Sequence, residues 1–197
     1  MIELLSIPVV ILAFITGGVL LVSWDWRISI GSLAVQYSCV FVLVAISWPV
    51  ETAAVKLVAG LMASAVLGLA LYNLPKDMSH QTRFAAPEII FRVIAALLAG
   101  LFAITGGSKL VEWFTDISIE QAYGVLLLAT LGLIQLGLTQ RPLRVVIGLL
   151  TVLSGFGIIQ AAVESSILIT GLLAVITLSL SFVGAYLLSA SILEDAS

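Results

Sequence analysis

The chain has 197 residues, of which 61% are hydrophobic and only 10% charged, and its mean hydropathy is +1.25. Soluble domains carry about 25% charged residues, so water is not the solvent for which this sequence is suited. A formal net charge of -3 with 8 Lys and Arg excludes a basic surface for nucleic acid, and the lone Cys39 and lone His80 leave no disulfide framework and no metal or haem site made by this chain alone, so no cofactor is expected.

Taken in chain order, apolar runs predict membrane spans over 4–23, 28–48, 52–73, 88–105, 118–138, 144–163 and 166–190. A run of about 21 residues rises about 31 Å, enough to cross hydrocarbon with every backbone group bonded inside its own helix. The first run reads as a helix rather than a signal peptide, because Met1-Ile2-Glu3 has no positive charge and Trp24-Asp25-Trp26-Arg27 is no small-residue cleavage site. Trp24, Trp26, Trp48 and Trp113 fall at span ends, where an amphipathic ring suits the interface. After the fourth run, Gly106 to Asp116 reads as a short interfacial segment, with Trp113 and Phe114 at the acyl boundary and a surface a partner can meet.

Alternating loops put Arg27, Lys76, Arg83, Arg141 and Arg144 on one side and Lys109, Glu51, Glu112, Asp116 and Glu164 on the other. The excess of Lys and Arg predicts an N-terminus outside, a cytoplasmic C-terminus and a multi-pass protein of the plasma membrane.

Arg27 to Val35 laid over Arg144 to Val152 matches Arg, Ile, Gly, Leu and Val in register, and Gly60 with Gly171 and Gly68 with Gly184 follow after small insertions. The expected fold is therefore an all-α, polytopic integral membrane protein with seven transmembrane helices. Two three-helix repeats, 1–74 and 118–197, are joined by 75–117, which holds a cytoplasmic loop, a linking helix and the outer interfacial segment. With three helices, one connector and three more, the copies keep the same orientation and are related by an axis near the membrane normal. The seam is Asn73 to Pro87, bounded by Pro75 and Pro87.

Those two matched segments, with Ile147-Gly148-Leu149 and Lys56, carry a resemblance: the chain resembles hydrogenase-4 component E, whose last three helices are similar to subunit K of respiratory complex I and to its counterpart, component C, in Mrp-type cation antiporters. The resemblance implies membership of a multisubunit ion- or proton-translocating complex, with other integral membrane subunits as partners. Subunit K bears acidic residues in mid-membrane, whereas here the sixth span reads Leu149-Leu150-Thr151-Val152-Leu153 and the seventh Ser179-Leu180-Ser181. A proton relay is therefore not transferred, and the implied role is a scaffold.

Among polar residues, Lys56 lies about one turn inside the third span, where an ammonium costs a few kcal/mol unless it snorkels or pairs. Pairing with Glu120 or Glu51 would make a charge element beside an ion path, and Gln36 near mid-depth needs an interhelical hydrogen-bond partner. Glu88 and Arg92, four apart, predict an ion pair capping the fourth span at the interface. Gln121, Gln135 and Gln160 lie nearer helix ends and say less, and Gly17, Gly18, Gly124, Gly132, Gly148, Gly155 and Gly157 read as packing positions. No phosphate-cradling loop, metal-binding helix motif or nucleophile with a histidine base is present. The sequence therefore predicts a noncatalytic membrane subunit in contact with lipid and other integral subunits, against two alternatives: a self-sufficient small carrier or channel, or a membrane scaffold or assembly protein.

Overall fold

The computed structural model describes residues 2–72, 86–114, 116–164 and 166–195, and side chains for 6–72, 87–114, 116–164 and 166–190. Seven helices account for nearly all of this: α1 (Ile2–Val22), α2 (Trp26–Val44), α3 (Val50–Tyr72), α4 (Ala86–Trp113), α5 (Ile119–Gly137), α6 (Pro142–Val163) and α7 (Ile167–Asp195). Six of them, α2 to α7, are long and apolar enough to cross a membrane, whereas the described apolar stretch of α1, Ser6–Val22, falls short of that length. The chain is thus an all-helical, multi-pass membrane protein. Most of the expected seam, 73–85 with Lys76, His80 and Arg83, lies outside the described residues.

Local chemistry sets the helix ends. The Asp25 carboxylate accepts from the Arg27 amide and starts α2, and Pro142 opens α6 at a position whose missing N–H costs nothing. Ser118 and Gln121 form a reciprocal capping box at the start of α5. The interfacial segment expected from Gly106 onward is instead the last two turns of α4, which stays helical to Trp113. The helix continues through the glycine pair, and α5 occupies the space it leaves: a Cβ on Gly107 would lie 2.3 Å from the Tyr123 ring.

Packing follows a simple map. Helices α2, α3, α7 and α6 form a closed ring, α1, α2, α6 and α5 form a second ring sharing the α2–α6 edge, and α4 leans on α1 and α5. Along these edges α1 faces α5, α2 faces α6 and α3 faces α7. Leu43, Val44, Trp48, Leu128, Leu131 and Ile158 centre one buried cluster, and Leu20, Leu33, Leu67, Leu143, Ile147 and Leu150 centre the other. Helix α4 touches its neighbours through a narrow line of Ala96, Ala99 and Ala103, while Leu97, Leu98, Leu101, Phe102 and Ile104 are exposed. Small residues inside and large apolar ones outside are the pattern of membrane helices, where packing rather than hydrophobic exclusion holds helices together.

Candidate functional site

Buried polar side chains gather at the helix junctions, and among the described residues α6 carries more of them than any other helix. Gln160, Gly157, Ser154 and Thr151 recur at every third position and all are buried, a row that winds around the helix because three residues fall short of one turn. At one end of the row, Lys56 reaches across from α3 and donates to the Gly157 carbonyl and, at 3.0 Å, to Gln160 Oε1. The Trp48 ring covers the ammonium at 5.7 Å from its centroid. Two oxygens and a π face thus solvate the cation inside the protein. Trp48 lies between α2 and α3, at the span ends as expected, and is buried there against the protein.

Glu51 is exposed in the first turn of α3, and Glu120 lies on α5, lining a cavity of about 530 Å³ between α1, α4 and α5 with Ile7, Phe14, Gly100 and Tyr123. The four candidate intramembrane residues therefore do not converge. Lys56 takes a carbonyl and an amide as partners in place of a carboxylate, and its head turns to α6. Gln36 is fully buried on α2 and donates from Nε2 to Thr151 Oγ1 at 3.3 Å, the interhelical bond its depth demands, while its Oε1 has no protein hydrogen-bond partner. Gln36 and Lys56 meet the same helix at levels six residues, about 9 Å, apart.

At the opposite end of the bundle two arginines knot three helix termini. Arg92 forms the expected pair with Glu88 at 3.0 Å, yet it is only 2% exposed. It turns inward to donate to the Leu21 carbonyl at 3.0 Å and the Leu138 carbonyl at 3.3 Å. Arg144 donates to the same Leu21 oxygen at 3.4 Å and to the Ser23 carbonyl, and Gln135 donates to the Arg144 carbonyl. The carbonyls of Leu21 and Leu138 belong to helix ends that lack intrahelical donors, so charge placement here follows the backbone's need. Gln121, fully buried, does the same at the other end by donating to the Leu43 carbonyl and Ser47 Oγ. Sequence reading undervalued Gln121, Gln135 and Gln160. For Gln121, the unpaired carbonyls at the neighbouring end of α2 are the available signal.

Between the polar levels the interior is closed. Below the Gln36–Thr151 contact, Leu20, Leu33, Leu67, Ile147 and Leu150 are each 2% exposed or less and fill the space down to the arginine knot. Among the described residues no three His, Cys, Asp or Glu side chains converge as a metal-binding group. No family model, curated protein or solved structure matches this chain.

Because Lys56 is solvated by the protein without a counter-charge, its replacement separates structure from function. Lys56→Met keeps the stem and removes an ion without a counter-charge, and relief of its desolvation offsets the two hydrogen bonds lost, since the Gly157 carbonyl lies in mid-helix and keeps its intrahelical donor. The expected result is thermal unfolding in micelles within about 1 kcal/mol of the wild type, while Lys56→Ala loses about 2 kcal/mol through the space it leaves. A Met variant that unfolds as readily as the Ala variant contradicts this account.

Proposed function

We propose that the chain is a noncatalytic integral membrane subunit of a larger ion- or proton-translocating assembly of the hydrogenase-4, complex I and Mrp antiporter kind. In this reading it packs against bigger membrane subunits and conducts nothing alone. The observation that carries it is the layer of Leu20, Leu33, Leu67, Ile147 and Leu150, which stops the polar row of α6 halfway through the bundle. Polar groups on both sides of that layer are spent on holding helices to each other, as a rigid subunit requires. The broad apolar faces of α4 and α7 are left for lipid or for neighbouring subunits.

In the same proposal α1 crosses the bilayer with the other six helices, the N-terminus is outside and the C-terminus faces the cytoplasm of a plasma-membrane protein. Helices α1 to α3 and α5 to α7 are two copies of one unit, with α4 as connector. Supporting this, a branched side chain from the first turns of the middle helix meets the matched glycine of the third in each triplet, Ile30 at Gly68 and Val146 at Gly184, one position apart in the matched register. The pairing of α1 with α5, α2 with α6 and α3 with α7 fits a displacement of one triplet beside the other better than a two-fold axis between them. The matched arginines have diverged in use, since Arg27 is exposed and Arg144 buried.

Blue native electrophoresis after mild solubilisation tests the subunit reading. The expected result is migration with other integral membrane proteins, and a stable lone monomer from native membranes overturns it. The second reading, a self-sufficient carrier, draws on the polar pocket around Lys56 and predicts ion movement by the purified protein. Liposomes containing the chain are expected to stay as tight as empty ones across a panel of cations and pH gradients, and a leak that depends on Lys56 would reverse the order of the two.

A further inference from the structure

Within the ring of α2, α3, α7 and α6 lies a small cavity of about 30 Å³, lined by Tyr37, Lys56, Ala59, Ser154, Gly157 and Thr177 among others. Its walls are mixed in chemistry. The Tyr37 hydroxyl is buried near Ser154, with no protein group in full hydrogen-bonding geometry to it, and Tyr37 as a whole is 5% exposed. Ser154 Oγ donates to the Leu150 carbonyl and Thr177 Oγ1 to the Leu173 carbonyl, both at 2.8 Å, so each hydroxyl keeps its lone pairs for a further donor. Lys56 commits two of its three N–H groups to Gly157 and Gln160.

We propose that this cavity is a binding site for a single water molecule that joins α2, α3, α6 and α7. The volume exceeds the roughly 10–15 Å³ of probe space that a single water requires, and a site needs two to four polar partners to hold it. The balance is complete: the water accepts from the Tyr37 hydroxyl and from Lys56, and donates to Ser154 Oγ and Thr177 Oγ1. An empty cavity would leave a tyrosine hydroxyl unpaired in a medium that offers no substitute. A halide fits less well, because the Gly157 and Gln160 oxygens already surround the ammonium and would face the anion. A cation is repelled by Lys56. The water thus takes the place of the carboxylate that a buried lysine ordinarily recruits, by extending its hydrogen bonding without adding charge.

X-ray-generated hydroxyl radicals modify side chains that touch ordered water, so the full chain in lipid nanodiscs provides the test. Tyr37 is expected to be oxidised although it is buried, while Leu33 and Leu67, equally deep and in the dry layer, stay unmodified. Ala59→Val, which places extra carbon in the cavity, is expected to abolish Tyr37 labelling, as is Ala174→Val from the α7 side should the first variant fail to fold. Thr177→Val, nearly equal in volume but without the acceptor, is expected to weaken it. Labelling of Tyr37 no greater than that of Leu33 in the wild type, or labelling that survives the filled cavity, overturns the proposal. Loss of labelling when chloride is exchanged for gluconate also overturns it, by making the occupant an anion.

Discussion

Exchanging Arg92 for methionine is expected to destabilise the protein by about 3 kcal/mol, a large fraction of a typical folding free energy to rest on one side chain. The guanidinium is 2% exposed and holds the last turn of α1 and the end of α5 through the Leu21 and Leu138 carbonyls. Hydrogen bonds from a charged donor contribute about 1.5–3 kcal/mol each, and an orphaned carbonyl within a bilayer has no water to replace the lost donor. Their sum is not the expected loss, because Arg144 also donates to Leu21 and retains part of that tie. The cation further complements the negative ends of two helix dipoles. The ion pair itself contributes little: Glu88 is 44% exposed, so Glu88→Gln is expected to cost under about 1 kcal/mol. Reversible unfolding in micelles separates the two variants. Equal and small losses would mean that the surface pair, and not the carbonyl knot, is what Arg92 supplies.

Gly132→Val is expected to have an effect at least as large, about 3 kcal/mol or loss of the folded state, because nothing near it can yield. A Cβ at this position would stand 2.8 Å from the Val152 amide nitrogen and 2.9 Å from the Gly148 carbonyl oxygen, both backbone atoms of α6. Helices α5 and α6 are in direct backbone approach here, and Gly155, whose added Cβ would lie 3.0 Å from the Ala129 amide, continues the same seam. Gly18 and Gly171 are the controls, since nothing lies within 4 Å of an added Cβ at either. Alanine there is expected to leave the fold intact and raise stability by about 0.5–1 kcal/mol, the backbone entropy that glycine forfeits in a helix. If all these substitutions lower the unfolding midpoint alike, the α5–α6 approach is not what distinguishes Gly132.

These contrasts locate the limit of legibility. Gly18 and Gly132 read identically in the chain, each a small residue in an apolar run, yet one faces open space and the other a neighbouring backbone. Gln36 was legible, because an amide near the middle of a span has to find a partner across the interface and does so at Thr151. The Lys56 environment was half legible. Its buried stem follows from depth alone, but the choice of Gly157 and Gln160 over Glu51 and Glu120 depends on how far α3 turns toward α6. For Arg92 the spacing of four from Glu88 at the start of a span makes the ion pair legible. The inward pull of two helix-end carbonyls is invisible until α1 and α5 are set beside α4.

Membrane solvation and helical content were decided by residue chemistry alone, since transfer into hydrocarbon is a property of each side chain and a run of twenty apolar residues expresses it additively. Which polar groups meet was decided only when the helices packed. Lys56 and Gly157 are 101 positions apart, and Arg144 and Leu21 are 123 apart. A hydrogen bond depends on two groups and falls off within an ångström, so pairings at that separation are settled by helix rotation and contact, to which no local pattern in the chain responds.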